Sequence, residues 1–116
     1  MRNTKQDIMT NLTPYTPDDE KLARYAKAMA HPVRIFILRF LENQQGCFAG
    51  NIAEKLPIAA STVSQHLKEL KDAGLIRGTI NPPTIKYCIE AEKWAEAKAL
   101  FDVFFEKEIT KPKDCK

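Results

Sequence analysis

The stretch Asn51–Ile76, NIAEKLPIAASTVSQHLKELKDAGLI, has less freedom than any other part of this 116-residue chain. Asn51 to Leu56 is long enough for barely two helical turns, and Pro57 offers no N–H to extend them. Ser61 to Ala73 resumes helical periodicity until Gly74 stops it, glycine being the residue that enters the left-handed conformation beyond a helix end without steric cost. Two helices about a tight corner are predicted, the outline of a helix-turn-helix, and the flanking segments read as support for its second helix.

That second helix has two faces. At about 100° per residue, Val63, Leu67 and Leu70 fall within roughly 60° of one another as an apolar stripe, and Ser61, Ser64, Gln65 and Lys68 fall within roughly 100° on the opposite side. Hydroxyls and an ammonium suit phosphate oxygens, and a glutamine amide can pair bidentately with adenine in the major groove. An ordinary solvated face has the same composition, so the context must separate the two readings.

The context is a family resemblance. HPVRIFILRFL, then NIAEKLPIAASTVSQHLKELKDAGLI, then a short strand pair ending in KYCI resembles the ArsR/SmtB family of small bacterial winged-helix repressors over about Leu22 to Phe105, and STVSQHLKELKDAGLI is the most specific run. The expected fold is mainly α with a small β-hairpin wing, a winged helix-turn-helix in the order α-α-α-α-β-β-α. The resemblance implies a homodimer built from the first and last helices, which would set two recognition helices about one turn of DNA apart on a palindromic promoter site.

Composition is compatible with this and does not decide it. A net charge of +3 is modest, so DNA binding would need a basic face rather than a basic total. No run approaches the length of a membrane span and MRNTKQDIMTNLT lacks the apolar stretch of a secretory signal, so a cytoplasmic protein with no membrane partner is expected. Three cysteines, Cys47, Cys88 and Cys115, are widely spaced with no CxxC pair. In a reducing compartment they read as free thiols rather than a disulfide framework.

In chain order, residues 1–15 are expected to form a flexible arm, 16–109 the DNA-binding and dimerisation domain, and 110–116 a disordered tail. Thr16-Pro17-Asp18-Asp19-Glu20 is a helix start, with a cap, proline at the first position and acids in the first turn. Leu22, Tyr25, Ala26, Met29 and Ala30 follow at helical spacing. Pro32 opens a helix through about Asn43 that is apolar on nearly every side, a buried centre, and His31 stands at its N-cap where the family commonly has an acid. Gln44 to Gly50 reads as a connector. Ala59 stands where many relatives have a capping serine, so the recognition helix starts weaker by about 1 kcal/mol or moves its cap to Ser61. Leu75–Ile80 and Ile85–Glu90 are predicted strands about the turn Asn81-Pro82-Pro83-Thr84. Ile85, Tyr87 and Ile89 share one face of the second strand, and Lys86, Cys88 and Glu90 share the outward one. Glu92 to about Glu108 is a final helix with Trp94, Ala97, Phe101, Phe104 and Phe105 at helical spacing.

The candidate DNA contacts are Ser61, Thr62, Ser64, Gln65, His66, Lys68 and Lys71 on or near the second helix, with Arg77, Asn81, Thr84 and Lys86 on the wing. His66 lies at the border of the two faces, where it could equally be a hydrogen-bonded packing residue. Leu22, Tyr25, Met29, Trp94, Phe101, Phe104 and Phe105 are the candidate dimer interface. The family's zinc site across the last helices is excluded, because this last helix has no histidine. A soft metal or arsenite on Cys47, Cys88 and Cys115, or oxidation of a cysteine pair, are the candidate signals for release; no cofactor is specified. An enzyme is disfavoured, since no nucleophile–base pattern or phosphate loop is present. The competing class is a winged-helix dimer that binds another protein without specific DNA binding.

Overall fold

The computed structural model describes residues 13–81 and 84–111. The expectations placed on the first 12 residues, on Pro82 and Pro83, and on the tail from residue 112 with Cys115 lie outside the described residues.

Helix α1, Pro17–Ala28, starts with a complete capping box: the Thr16 hydroxyl accepts from the Asp19 N–H, and the Asp19 carboxylate accepts from the Thr16 N–H. Helix α2 is Pro32–Asn43, with His31 as N-cap, its Nδ1 accepting from the Val33 N–H at 3.0 Å. Strand β1, Cys47–Ala49, leads to a 3₁₀ helix at Ile52–Lys55. Helix α3, Ala60–Asp72, is followed by β2, Ile76–Asn81, β3, Thr84–Ile89, and α4, Ala91–Phe104. The strands form one antiparallel sheet in the order β1-β3-β2, with Cys47 opposite Cys88 and Arg77 also opposite Cys88.

The winged helix-turn-helix is present, with three differences from the expected order. Its first helix is 3₁₀ rather than α: four residues before Leu56 and Pro57 leave no length for an i→i+4 ladder, and the Asn51 side chain caps the Ala53 N–H instead. The connector holds a third strand, β1, which three residues without alternation could not announce; it exists because β3 offers it a paired edge. The last helix ends at Phe104 rather than near Glu108.

The core lies where α2 and α3 meet the sheet. Ile37, Leu41, Ile52, Val63, Leu70, Leu75 and Ile76 are almost wholly withdrawn from water, each contributing about 1.5–3 kcal/mol of burial. The apolar stripe Val63, Leu67 and Leu70 is the buried face of α3, as its periodicity predicts. Ile37, Leu38 and Leu41 make α2 central, although Ile35 stays exposed. Gly74, at φ +84°, ends α3 while Leu75 N–H donates back to the Leu70 carbonyl at 3.1 Å, turning the chain directly into β2.

Candidate nucleic-acid interface

Helix α3 presents its polar face to solvent. Ser61, Thr62, Ser64, Gln65, Lys68 and Lys71 are all exposed, while the apolar stripe is anchored below them. Lys68 is tied to Asp72 one turn on, at 2.8 Å. That bond raises the lysine pKa and lowers the Asp72 carboxyl. The helix begins at Ala59, whose backbone is extended and which supplies no side-chain cap; Ser61 has not taken over that role.

The wing stands beside α3. Arg77 pairs with Glu90 at 2.6 Å, joining the root of β2 to the start of α4. Thr84 and Lys86 on β3 are exposed, and Asn81 is opposite Thr84 in the strand register. An open cavity of about 290 Å³ separates helix and wing, with Asn51, Ala60 and Ser64 on one side and Thr84, Ile85 and Tyr87 on the other. The candidate contacts therefore form two ridges flanking a concavity.

His66 departs from the other candidates. It is 8% exposed, and its Nδ1 accepts a hydrogen bond from Arg34 Nε at 3.0 Å. It faces α2 rather than the outer surface, because its border position on α3 falls over the first turn of α2. Burial, and then the neighbouring His31 and Arg34, push its pKa below the usual histidine value. Arg34 was not among the sequence candidates.

The candidate interface residues divide as well. Tyr25 is buried within the chain and donates its hydroxyl hydrogen to Glu96, which also accepts from Lys21 at 3.0 Å. Burial first, then this bond, pushes the Tyr25 pKa up to about 12. Tyr25 thus joins α1 to α4 within the chain instead of presenting its ring outward. Leu22, Met29, Trp94 and Phe101 are half-buried. Phe104 and Phe105, with Val103 and Ile109, stay at least 64% exposed, an apolar surface that one domain of this size has no reason to leave in water.

The cysteines correct two expectations. Cys47 and Cys88 are joined in a disulfide, not free. Cys88 is buried rather than outward-facing, with its sulfur bonded to that of Cys47 on the neighbouring strand. Both sulfurs are used by this bond, and among the described residues no cluster of three or more His, Cys, Asp or Glu is placed to hold a metal ion.

Comparison with known proteins agrees with this geometry. Residues 29–79 match the model of a helix-turn-helix domain family. The chain is 37% identical over 84 residues to the HTH-type transcriptional regulator YgaV of Escherichia coli K12, covering 72% of this chain and 85% of that protein. It is 33% identical over 79 residues to the HTH-type transcriptional regulator CmtR of Mycobacterium tuberculosis, covering 68% and 66% of the two chains. Among solved structures, HlyU from Vibrio cholerae superposes with a TM-score of 0.61 at 25% identity, over 80% of this chain and all of that one. A possible transcriptional regulator for arsenical resistance superposes with a TM-score of 0.61 at 30% identity, over 68% of this chain and 81% of that one.

Proposed function

Because the chain belongs to the ArsR/SmtB family of winged-helix transcriptional regulators, we propose that it is a sequence-specific, homodimeric repressor of a palindromic promoter operator, released when Cys47 and Cys88 are oxidised to a disulfide. DNA binding and transcriptional regulation come with the family. The observation that carries the finer reading is the pairing of the two cysteines across β1 and β3, between the strand that enters the helix-turn-helix and the strand that returns from the wing.

Ser64 and Gln65 read base edges in this proposal, and Ser61, Thr62, Lys68, Lys71, Arg77, Asn81, Thr84 and Lys86 position the dimer on phosphates. Lys68 must exchange Asp72 for a phosphate, and Arg77 must exchange Glu90; both ion pairs are solvent-exposed and cost little to break. The second recognition helix comes from a partner copy held through Phe104, Phe105 and the half-buried residues of α1 and α4. Repression follows from occupying promoter DNA in the cytoplasm. Oxidation by hydrogen peroxide removes two electrons and two protons from the thiols and yields the disulfide and two waters. A covalent tie then holds the helix-turn-helix and wing at one fixed spacing, where DNA needs them to adjust together.

A soft ion is the second reading, favoured by the same proximity: reduced, two facing thiolates are ligands for arsenite or a soft metal. Fluorescence anisotropy against the protein's own promoter and an unrelated duplex, at two salt concentrations, tests the function. Preferential binding to the promoter that survives the higher salt, abolished by alanine at Ser64, Gln65 and Lys68 together, is the expected result. Peroxide should then release the dithiol protein, and arsenite, zinc or cadmium should not. Equal, salt-sensitive binding to both duplexes would refute a repressor, and a partner bound undiminished by the triple variant would favour a protein-interaction module.

A further inference from the structure

One guanidinium sits at the meeting point of three helices. Arg34 Nε donates to His66 Nδ1 at 3.0 Å, and Arg34 Nη1 donates to the Lys27 and Ala28 carbonyls, each at 3.3 Å. Those carbonyls lie in the last turn of α1, that of Lys27 also accepting from the Ala30 N–H at 3.2 Å, while Arg34 belongs to the first turn of α2 and His66 lies midway along α3. The fixed fork of the arginine therefore sets the end of a candidate dimer helix against the recognition helix. His66 is next to Gln65 and two residues from Ser64, so a rotation of α3 at this contact re-aims both side chains.

We propose that Arg34 and His66 form a positioning joint for the recognition helix, one that holds only while the imidazole is neutral and through which operator binding is lost on acidification. This rests on the DNA-binding reading above.

The chemistry is in the lone pair. Nδ1 of a neutral imidazole accepts the Arg34 hydrogen; a protonated imidazole has no acceptor left and sets a second cation against the guanidinium. The surroundings do not offset that charge. His31, before α2, lies with its ring centroid 4.2 Å from that of His66, and its own Nδ1 is occupied by the Val33 N–H. From α3 itself, Glu69 shares a polar concavity with His66, Arg34, Ser61, Thr62 and Gln65, and is the one carboxylate lining it. Lys27 of α1 contributes only its carbonyl to the joint. The depressed His66 pKa keeps the joint closed at neutral pH and moves its opening to the acid side. Acidification otherwise makes a protein more cationic and strengthens phosphate binding, so a loss of affinity in acid has the opposite sign to the ordinary effect.

The test measures operator affinity by anisotropy at about pH 7.5 and about pH 5.5, below the ordinary histidine pKa, with the thiols kept reduced. Wild type is expected to lose affinity across this interval, by less than the roughly tenfold that a histidine of ordinary pKa would set as the ceiling. Glu and Asp protonation is common to all variants, so His66→Gln, whose amide oxygen can accept but does not titrate, should change less than twofold across the same interval whatever its affinity at neutral pH. Arg34→Lys, which keeps the charge and loses the fork, should lower the ratio of operator to unrelated-duplex affinity at both pH values while its circular dichroism stays that of wild type. NMR of the free protein supplies a readout independent of DNA: the Arg34 Nε–H resonance should shift with the His66 imidazole titration. An acid loss equal in His66→Gln and wild type, an unchanged operator preference in Arg34→Lys, or an Arg34 resonance indifferent to His66 would each overturn the joint. If no protein binds operator at either pH, the DNA-binding reading fails while the NMR titration still decides the joint.

Discussion

Reducing the Cys47–Cys88 bond should measurably destabilise the fold, and the size of the effect follows from chain connectivity. The two cysteines are 41 residues apart and enclose the 3₁₀ helix, α3 and β2. Closing a loop of that length removes unfolded-state entropy equivalent to about 4 kcal/mol at 25 °C, and measured disulfides commonly realise about 2–4 kcal/mol. The assay is urea unfolding with and without a reductant, at one fixed protein concentration because the stability of the proposed dimer would depend on it. Reduction should lower the unfolding free energy by about 2–4 kcal/mol and steepen the denaturant dependence, since the uncrossed chain exposes more surface when it unfolds. Cys47→Ser and Cys88→Ala should each reproduce the loss and abolish the response to reductant. Their combination should add only the packing cost of the buried Cys88 sulfur, because one bond cannot be lost twice. A reductant effect below about 0.5 kcal/mol, or one that persists in the double variant, would refute the assignment of this loop closure as a stabilising constraint.

Ala59→Ser should stabilise the protein by about 1 kcal/mol in the same unfolding assay, since α3 now begins without a side-chain cap. Leu70→Ala, at a fully buried position on the inner face of the recognition helix, should cost about 2–5 kcal/mol. Phe104→Ser with Phe105→Ser should shift sedimentation from dimer towards monomer while leaving the far-ultraviolet spectrum in place, because both rings lie outside the core. Glu96 is held below the usual carboxylate pKa by the Tyr25 hydroxyl and then by Lys21. Its stabilisation is therefore complete above the ordinary carboxylate range and lost as pH falls through the lowered value. Glu96→Gln should flatten the acid limb of a plot of urea midpoint against pH.

The parts legible in the sequence were those where one local rule sufficed. The two faces of α3 follow from its 3.6-residue period, its unsupported start from alanine at residue 59, and the sharp beginning of α1 from Thr16 and Asp19. What was not legible depended on neighbours distant in the chain. Cys47 and Cys88 share no local pattern, and only the formation of β1 beside β3 brings them together. The bond to Cys47 accompanies the burial of Cys88, while Lys86 on the same face stays exposed, so alternation predicts which residues share a face but not the surroundings of each. His66 sat at the border of two faces, and an arginine 32 residues earlier drew it inward. Tyr25 fitted an outward apolar stripe equally well until Glu96, 71 residues away, gave its hydroxyl a partner.

The order β1-β3-β2 makes the wing a cantilever. Lys86, Tyr87 and Cys88 are clamped between strands on both sides, whereas Thr84 and Ile85 are paired only to β2. The overhang beyond that clamp carries Ile80, 74% exposed, and the register pair Asn81 and Thr84. A beam held at its root transmits a small tilt there as a larger sweep at its end. Ala49, Phe48 and Cys47 consequently govern where Asn81 and Thr84 are carried, although the register pairs none of them with either residue.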